Sequence, residues 1–497
     1  MNTRRIQLAA TIFMIIFLVE GGGLFYWQVI KSNNLDKRFS LDEENIPVRG
    51  KIYDRAGRIL VTNELTYSIF ADPSLVRDPI KIGKELNSIL GNREDYAEKL
   101  GSDKRFVWIA RKLDRKEAED IVAIDKEAFF IRQEYKRVYI DQEMPEILGS
   151  VDIDNNGLSG LELTMDDVLK EGKDVYLSID STIQSKIDEL LSGSKPSLGF
   201  KKGIVIVLSP YTGEVLALVN LPHIKDFAAQ DIFEPGSSLK PVIAAIALEE
   251  DRVRAEDKFN CKPPFKINGV TINDAPHSVS SYNLNLEEII EVSSNIGMAQ
   301  VGLKIGTDLF YKYLYGFGFG HTTGIELPNE TPGLFPRDIN LISLTQNSFG
   351  QGIGVSAIQL VSSYIPLANN GYLVKPTIIK REKADLLKQI ISTNTAKKIT
   401  DILVCVVKNG TGKKASIEGI EIAGKTGTAQ KVIDGRYSNE KGIMSFIGYL
   451  PAYSPKYIIG VILDEPNSSR WASDTAAPLF REIAKILLYS EYIKGER

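Results

Sequence analysis

KGIVIVLSPYTGEVLALVNLP, residues 202–222, consists of two apolar runs joined by one short polar turn. The runs Gly203–Leu208 and Val215–Leu221 have strand length and are rich in β-branched residues. The Tyr-Thr-Gly between them lets the chain reverse, so the stretch predicts an antiparallel hairpin. Moving outward, residues 173–191 (KDVYLSIDSTIQSKIDELL) read as a strand followed by a helix, and the 240s and 286–305 have helical spacing. Two further strands are expected in SFIGYLPAYSPKYIIGVILDEP, 445–466, and a closing helix in 476–493. The simplest fold class for 173–497 is α+β, an antiparallel sheet flanked by helices.

A chain of 497 residues has room for two or three domains. Composition is that of ordinary globular protein, with 43% hydrophobic and 25% charged residues. The net charge of −4 gives no general attraction to nucleic acid. No Walker loop, dinucleotide fingerprint or Cys/His cluster with metal spacing occurs, so neither a metal nor a cofactor is expected. Nothing in the sequence brings Cys261 and Cys405 together, and Cys405 in ILVCVV reads as a buried, inert thiol.

The N-terminus carries Arg4 and Arg5 and then an apolar stretch from Ile6 to Ile30, long enough for one membrane span. No small-residue cleavage pattern follows, which favours an uncleaved anchor over a signal peptide. The arginines favour a cytoplasmic N-terminus, leaving the bulk of the chain outside the cytoplasm. Glu20 either faces a protein partner within the span or marks its interfacial end. The expected organisation is residues 1–35 as cytoplasmic tip and anchor, 36–172 as a first domain, and 173–497 as a second. The first domain opens on a polar linker, 32–50, and then mixes strands with short helices such as 80–90 and 114–124.

Chemistry enters at EPGSSLKP, 234–241. A serine nucleophile needs a group to take its proton, and the chain has only three histidines, His223, His277 and His321. On a helix, positions three apart share a face, so Lys240 pairs with Ser237 rather than Ser238. A neutral lysine can act as the base, and a helix N-terminus favours the developing anion. Alone this pattern is weak, because Ser-x-x-Lys recurs at Ser192 and Ser438. Ser293-Ser294-Asn295 supplies a Ser-x-Asn triplet, itself repeated at Ser32, Ser281 and Ser392. Lys425-Thr426-Gly427 occurs once, in a strand-like context. The three in this order form a set known for serine acyl transfer.

These motifs resemble those of penicillin-binding proteins and serine β-lactamases. VRGKIYDRAGRIL, GLSGLE, SPYTGEVLALVN, SFGQGIGVSAIQL and AGKTGTAQK narrow the resemblance to class B penicillin-binding proteins over roughly residues 45–470. Lys-Thr-Gly, rather than Lys-Ser-Gly, and the 445–466 segment look more like the division type. The resemblance implies a transpeptidase domain at 173–497 on a pedestal at 36–172. It implies Ser237 as nucleophile, Lys240 as base, Ser293 as proton relay and Asn295 as orienting group. Lys425, Thr426, Gly427 and Thr428 would form the carboxylate-binding strand, and the backbone N–H groups of Ser237 and Thr428 the oxyanion hole. Arg49, Gly50, Asp54, Arg55 and Gly57, with Gly157, Gly160 and Glu162, would form a buried Arg–Asp network in the pedestal. The implied donor is a stem peptide ending in D-Ala-D-Ala, with β-lactams as covalent inhibitors. The implied location is the bacterial cytoplasmic membrane. The implied partners are a polytopic glycosyltransferase of the shape-elongation-division-sporulation class and other division proteins. An elongation-type transpeptidase, a D,D-carboxypeptidase, a β-lactam-hydrolysing enzyme and a β-lactam sensor would use the same serine.

Overall fold

The computed structural model describes residues 48–495 apart from 92–93, 141–142, 255, 276–280, 337–339 and 434–435. The expected anchor at 1–35, with Glu20, lies outside the described residues, as does His277. Among the described residues no helix is long and apolar enough to cross a membrane. The described chain gathers into two compact units, one of residues 63–138 and one of 49–62 with 139–495.

In the smaller unit Tyr67–Ala71 pairs antiparallel with Val107–Leu113. Helices Pro79–Leu90 and Arg115–Ile124 are each capped by an aspartate, Asp78 and Asp114. Their apolar faces bury Leu86 and Ile121 in one cluster with Ile69, Ile109 and Phe129.

The larger unit holds the hairpin that the sequence announced. Strands β1 (Lys202–Leu208) and β2 (Val215–Leu221) follow helix α1 (Ser181–Leu198). Helices α2 (Lys240–Glu249), α3 (Leu286–Glu291), α4 (Asn295–Ile305) and α5 (Thr393–Lys408) come next. Strands β3 (Ala423–Ile433), β4 (Arg436–Leu450) and β5 (Tyr457–Asp464) and helix α6 (Ala476–Gly495) complete it. The sheet is antiparallel throughout, in the order β3-β4-β5-β1-β2. Side chains alternate across a strand, so Val205 and Val207 pack on α1 and α6, whereas Ile204, Ile206 and Leu208 join the cluster containing α2 and α4. Both faces are buried, which is why these strands read as unbroken apolar runs. Helix α2 is buried on every side from Val242 to Ala247, as its lack of a polar face requires.

A buried arginine network forms in the larger unit and includes Glu162, with Asp166 as a partner outside the expected set. Arg49 donates to Glu162 at 2.6 Å and Asp166 at 2.7 Å. Asp54 accepts from Arg58 at 2.8 Å and from the Ser181 hydroxyl at 2.9 Å. Gly157 belongs to the first set, its N–H donating to Asp166 at 2.8 Å. Both cysteines are free; Cys261 is buried and Cys405 only half-buried.

Candidate active site

Ser237 lies not on α2 itself but in a one-turn 3-10 helix, Gly236–Leu239, that leads into it. In a 3-10 turn residues three apart eclipse, which aligns Ser237 with Lys240 more closely than an α-helix would. The turn is set by contacts with two neighbouring segments. Gly236 has φ +55, and its N–H donates to Gly350 at 3.0 Å. Ser238 is buried, donates to the Pro235 carbonyl at 2.6 Å and offers its own carbonyl to the Tyr364 hydroxyl at 2.6 Å. It is therefore a structural residue of the turn.

Lys240, the first residue of α2, is fully buried. Its Nζ donates to the Ser293 carbonyl at 2.6 Å, to Asn295 Oδ1 at 2.8 Å and to Ser293 Oγ at 3.3 Å. Burial brings its pKa down to about 7, with Asp274 pulling the other way. Lowered this far, the amine can give up its proton near neutral pH and act as a base.

The expected helix over 286–305 breaks at the motif. Helix α3 ends at Glu291, and α4 starts at Asn295 with Ser294 as N-cap. Between them Ser293 adopts φ +64, a left-handed conformation that turns the chain sharply. The break delivers Ser293 and Asn295 together to Lys240.

Strand β3 is the sheet's edge, and it carries Lys425, Thr426, Gly427 and Thr428. Lys425 is also fully buried, and its Nζ donates to Ser293 Oγ at 2.9 Å. Burial, with the neighbouring Lys240 charge, holds it well below the ordinary lysine range. Ser293 Oγ therefore bridges the two amines. Gly427 is required by close approach: a Cβ there would collide with Ser445 Oγ and lie 2.9 Å from Ser238 Oγ. Thr426 and Thr411 share a hydroxyl hydrogen bond of 2.7 Å, and Thr428 Oγ1 accepts from the Ala472 N–H at 3.4 Å.

Ser237, Ser293, Asn295, Thr426 and Thr428 line one cleft of ≈ 630 Å³. Asp274 lines it too, a residue that sequence reading missed because nothing in its spacing ties it to the three motifs. Of the other Ser-x-x-Lys copies, Ser438 and Lys441 also line this cleft, and Ser192–Lys195 lies on α1. Among the described residues no group of His, Cys, Asp or Glu could hold a metal ion.

At the edge of an antiparallel sheet covered by helices on both faces, Ser237 lines a cleft beside Ser293, whose hydroxyl bridges two buried amines. The sequence profile of the penicillin binding protein transpeptidase domain matches residues 203–485, and that of the penicillin-binding protein dimerisation domain matches 44–181. Stage V sporulation protein D of Bacillus subtilis is 30% identical, over 95% of this chain and 83% of that protein. A probable peptidoglycan D,D-transpeptidase PenA of Neisseria meningitidis is also 30% identical, over 92% of this chain and 88% of its own. Penicillin binding protein 3 of Mycobacterium tuberculosis, solved with aztreonam, is similar at TM-score 0.72 and 25% identity, covering 90% of this chain and 96% of that one. The chain belongs to the penicillin-binding protein transpeptidase family, as a class B member and a serine-type D,D-transpeptidase.

Proposed function

We propose that this enzyme cross-links peptidoglycan at the division septum, with Ser237 as the nucleophile. The observation that carries the catalytic part is the buried Lys240 amine, which touches both members of the Ser-x-Asn turn one helical turn from Ser237. Ser237 Oγ attacks the carbonyl of the penultimate D-Ala while neutral Lys240 takes its proton. The amide C–N bond breaks, and the proton leaves with the terminal D-Ala amine through Ser293. An acceptor amine then attacks the ester carbonyl and gives up a proton to Lys240; the ester C–O bond breaks, the new amide forms, and Lys240 passes that proton to Ser237 Oγ. Asn295 orients Lys240 and the substrate amide. Lys425, Thr426 and Thr428 take the terminal carboxylate, and the N–H groups of Ser237 and Thr428 hold the oxyanion. Ser293 Oγ, shared by both amines, supports the relay role.

The septal assignment rests on Lys-Thr-Gly, rather than Lys-Ser-Gly, in the third motif. On this reading residues 1–35 anchor the protein in the cytoplasmic membrane with the N-terminus inside. Residues 36–172 form the pedestal, and 173–497 the transpeptidase domain outside the cytoplasm. The glycan-polymerising partner is a polytopic glycosyltransferase of the shape-elongation-division-sporulation class, working with other division proteins. Lipid-linked peptidoglycan supplied with an acceptor tests the reaction. Cross-linked dimer is expected, whereas release of D-Ala without cross-links would make the enzyme a carboxypeptidase.

A further inference from the structure

Asp274 lies in the loop after the strand Val270–Ile272, nineteen residues before Ser293 in the chain. Both of its carboxylate oxygens are used on one short stretch. Oδ2 accepts from the Ser294 hydroxyl at 2.6 Å. Oδ1 accepts from the N–H of Asn295 at 2.5 Å and of Ile296 at 3.0 Å. The Ser294 hydroxyl in turn caps α4 by accepting from the Gly297 N–H at 2.9 Å. The neighbouring Asn273 carbonyl accepts from Asn295 Nδ2 at 3.3 Å. The left-handed Ser293 and the Asn295 side chain, both of which meet Lys240, are thus fastened from outside by this segment.

We propose that Asp274 is a positioning residue for acyl transfer: its carboxylate holds the Ser293–Asn295 turn, and with it Asn295 Oδ1, against the Lys240 amine. The inference rests on reading Lys240 as the general base. Among the described residues, the titratable groups that act on the Lys240 amine are Asp274 and Cys261, beside the Phe259–Asn260 strand; Lys425 from β3 shares Ser293 Oγ with it. Burial pushes the Cys261 thiol up, so it stays neutral. Burial and the Lys240 charge hold Lys425 well below the ordinary lysine range, so it gives up its proton readily. Asp274 alone supplies an opposite charge that retains the Lys240 proton. The carboxylate also sits at the N-terminus of α4, where the helix dipole favours it.

The test is the rate of covalent acylation of the full-length protein in detergent by a fluorescent penicillin, across about pH 5.5 to 9. In the wild type the rate should rise with pH through a midpoint near 7. Asp274→Asn keeps the shape and removes the charge. Its plateau should fall about tenfold, and its midpoint should move to lower pH by about half a unit or more. Ser294→Ala removes one hydrogen bond and leaves the charge, so it should lower the plateau without moving the midpoint. An Asp274→Asn midpoint equal to the wild type would overturn the proposal and leave Asp274 a structural cap. If Asp274→Asn does not fold, as judged by its melting curve, Asp274→Glu replaces it. That variant keeps the charge and should keep the midpoint at a reduced plateau; a midpoint displaced downward would overturn the proposal. Failure of the underlying reading looks different: the wild type would lack an acidic limb, or Lys240→Arg would acylate normally, and the inference would fall with it.

Discussion

Ser237 and Ser238 are neighbours, yet their surroundings give them opposite fates. Ser237 opens onto the cleft, while Ser238 is buried with its hydroxyl committed to Pro235. Ser237→Ala should abolish covalent penicillin labelling, and Ser238→Ala should retain it at reduced stability; mass spectrometry after exposure to a penicillin reads both. The base admits a similar contrast. A guanidinium stays protonated at any working pH, so Lys240→Arg should lose acylation nearly as fully as Lys240→Ala, by about 10²–10⁴-fold. Normal acylation by the arginine variant would reduce Lys240 to a source of charge. Lys240 works as the free amine, so wild-type acylation should be slow below pH 7 and level off above it.

The motifs are brought together by elements that meet tightly, the 3-10 turn against the edge strand β3 above all. Gly427→Ala should push the two apart, with at least a tenfold loss of acylation and a lower melting temperature, because a new Cβ meets Ser445 and Ser238 together. A variant that acylates normally would show that the strand can shift freely. Much of this layer was legible in the sequence. The hairpin 202–222 and the paired strands around 445–466 declared themselves through apolar runs broken by turns, and α2 through an uninterrupted apolar helix. The break at 292–294 was less visible, because apolar spacing continues across it; the Ser294 N-cap, a helix start inside an apparent helix, was the signal available. The 3-10 character of 236–239 was hidden, since it depends on Gly236 fitting against Gly350, far away in the chain. Asp274 was hidden for the same reason. Arg49 and Glu162 were both read as network residues, but Asp166, more than a hundred residues from Arg49, could not be found by local pattern.

At the scale of the whole molecule, chemistry and location are predicted to separate. Deleting residues 1–35 should yield a soluble protein that still binds penicillin but no longer supports septal growth; Glu20→Leu should be milder, with its effect confined to partner activation. Complementation by the truncated protein would remove the need for an anchor. The two buried lysines also bear on how the whole enzyme withstands heat. An unfolded lysine titrates near 10.5, whereas folded Lys240 titrates near 7. Between these values the unfolded chain binds a proton that the folded chain refuses, so stability should rise with pH across that window. Each unit of displacement corresponds to about 1.4 kcal/mol of bias toward unfolding at lower pH. Lys425, displaced the same way, adds to it. Replacing either amine by methionine should therefore raise the melting temperature by a few degrees while abolishing acylation. Selection for thermal robustness alone would discard these lysines, and thermal scans of inactive variants offer a way to find such residues without assaying a single turnover.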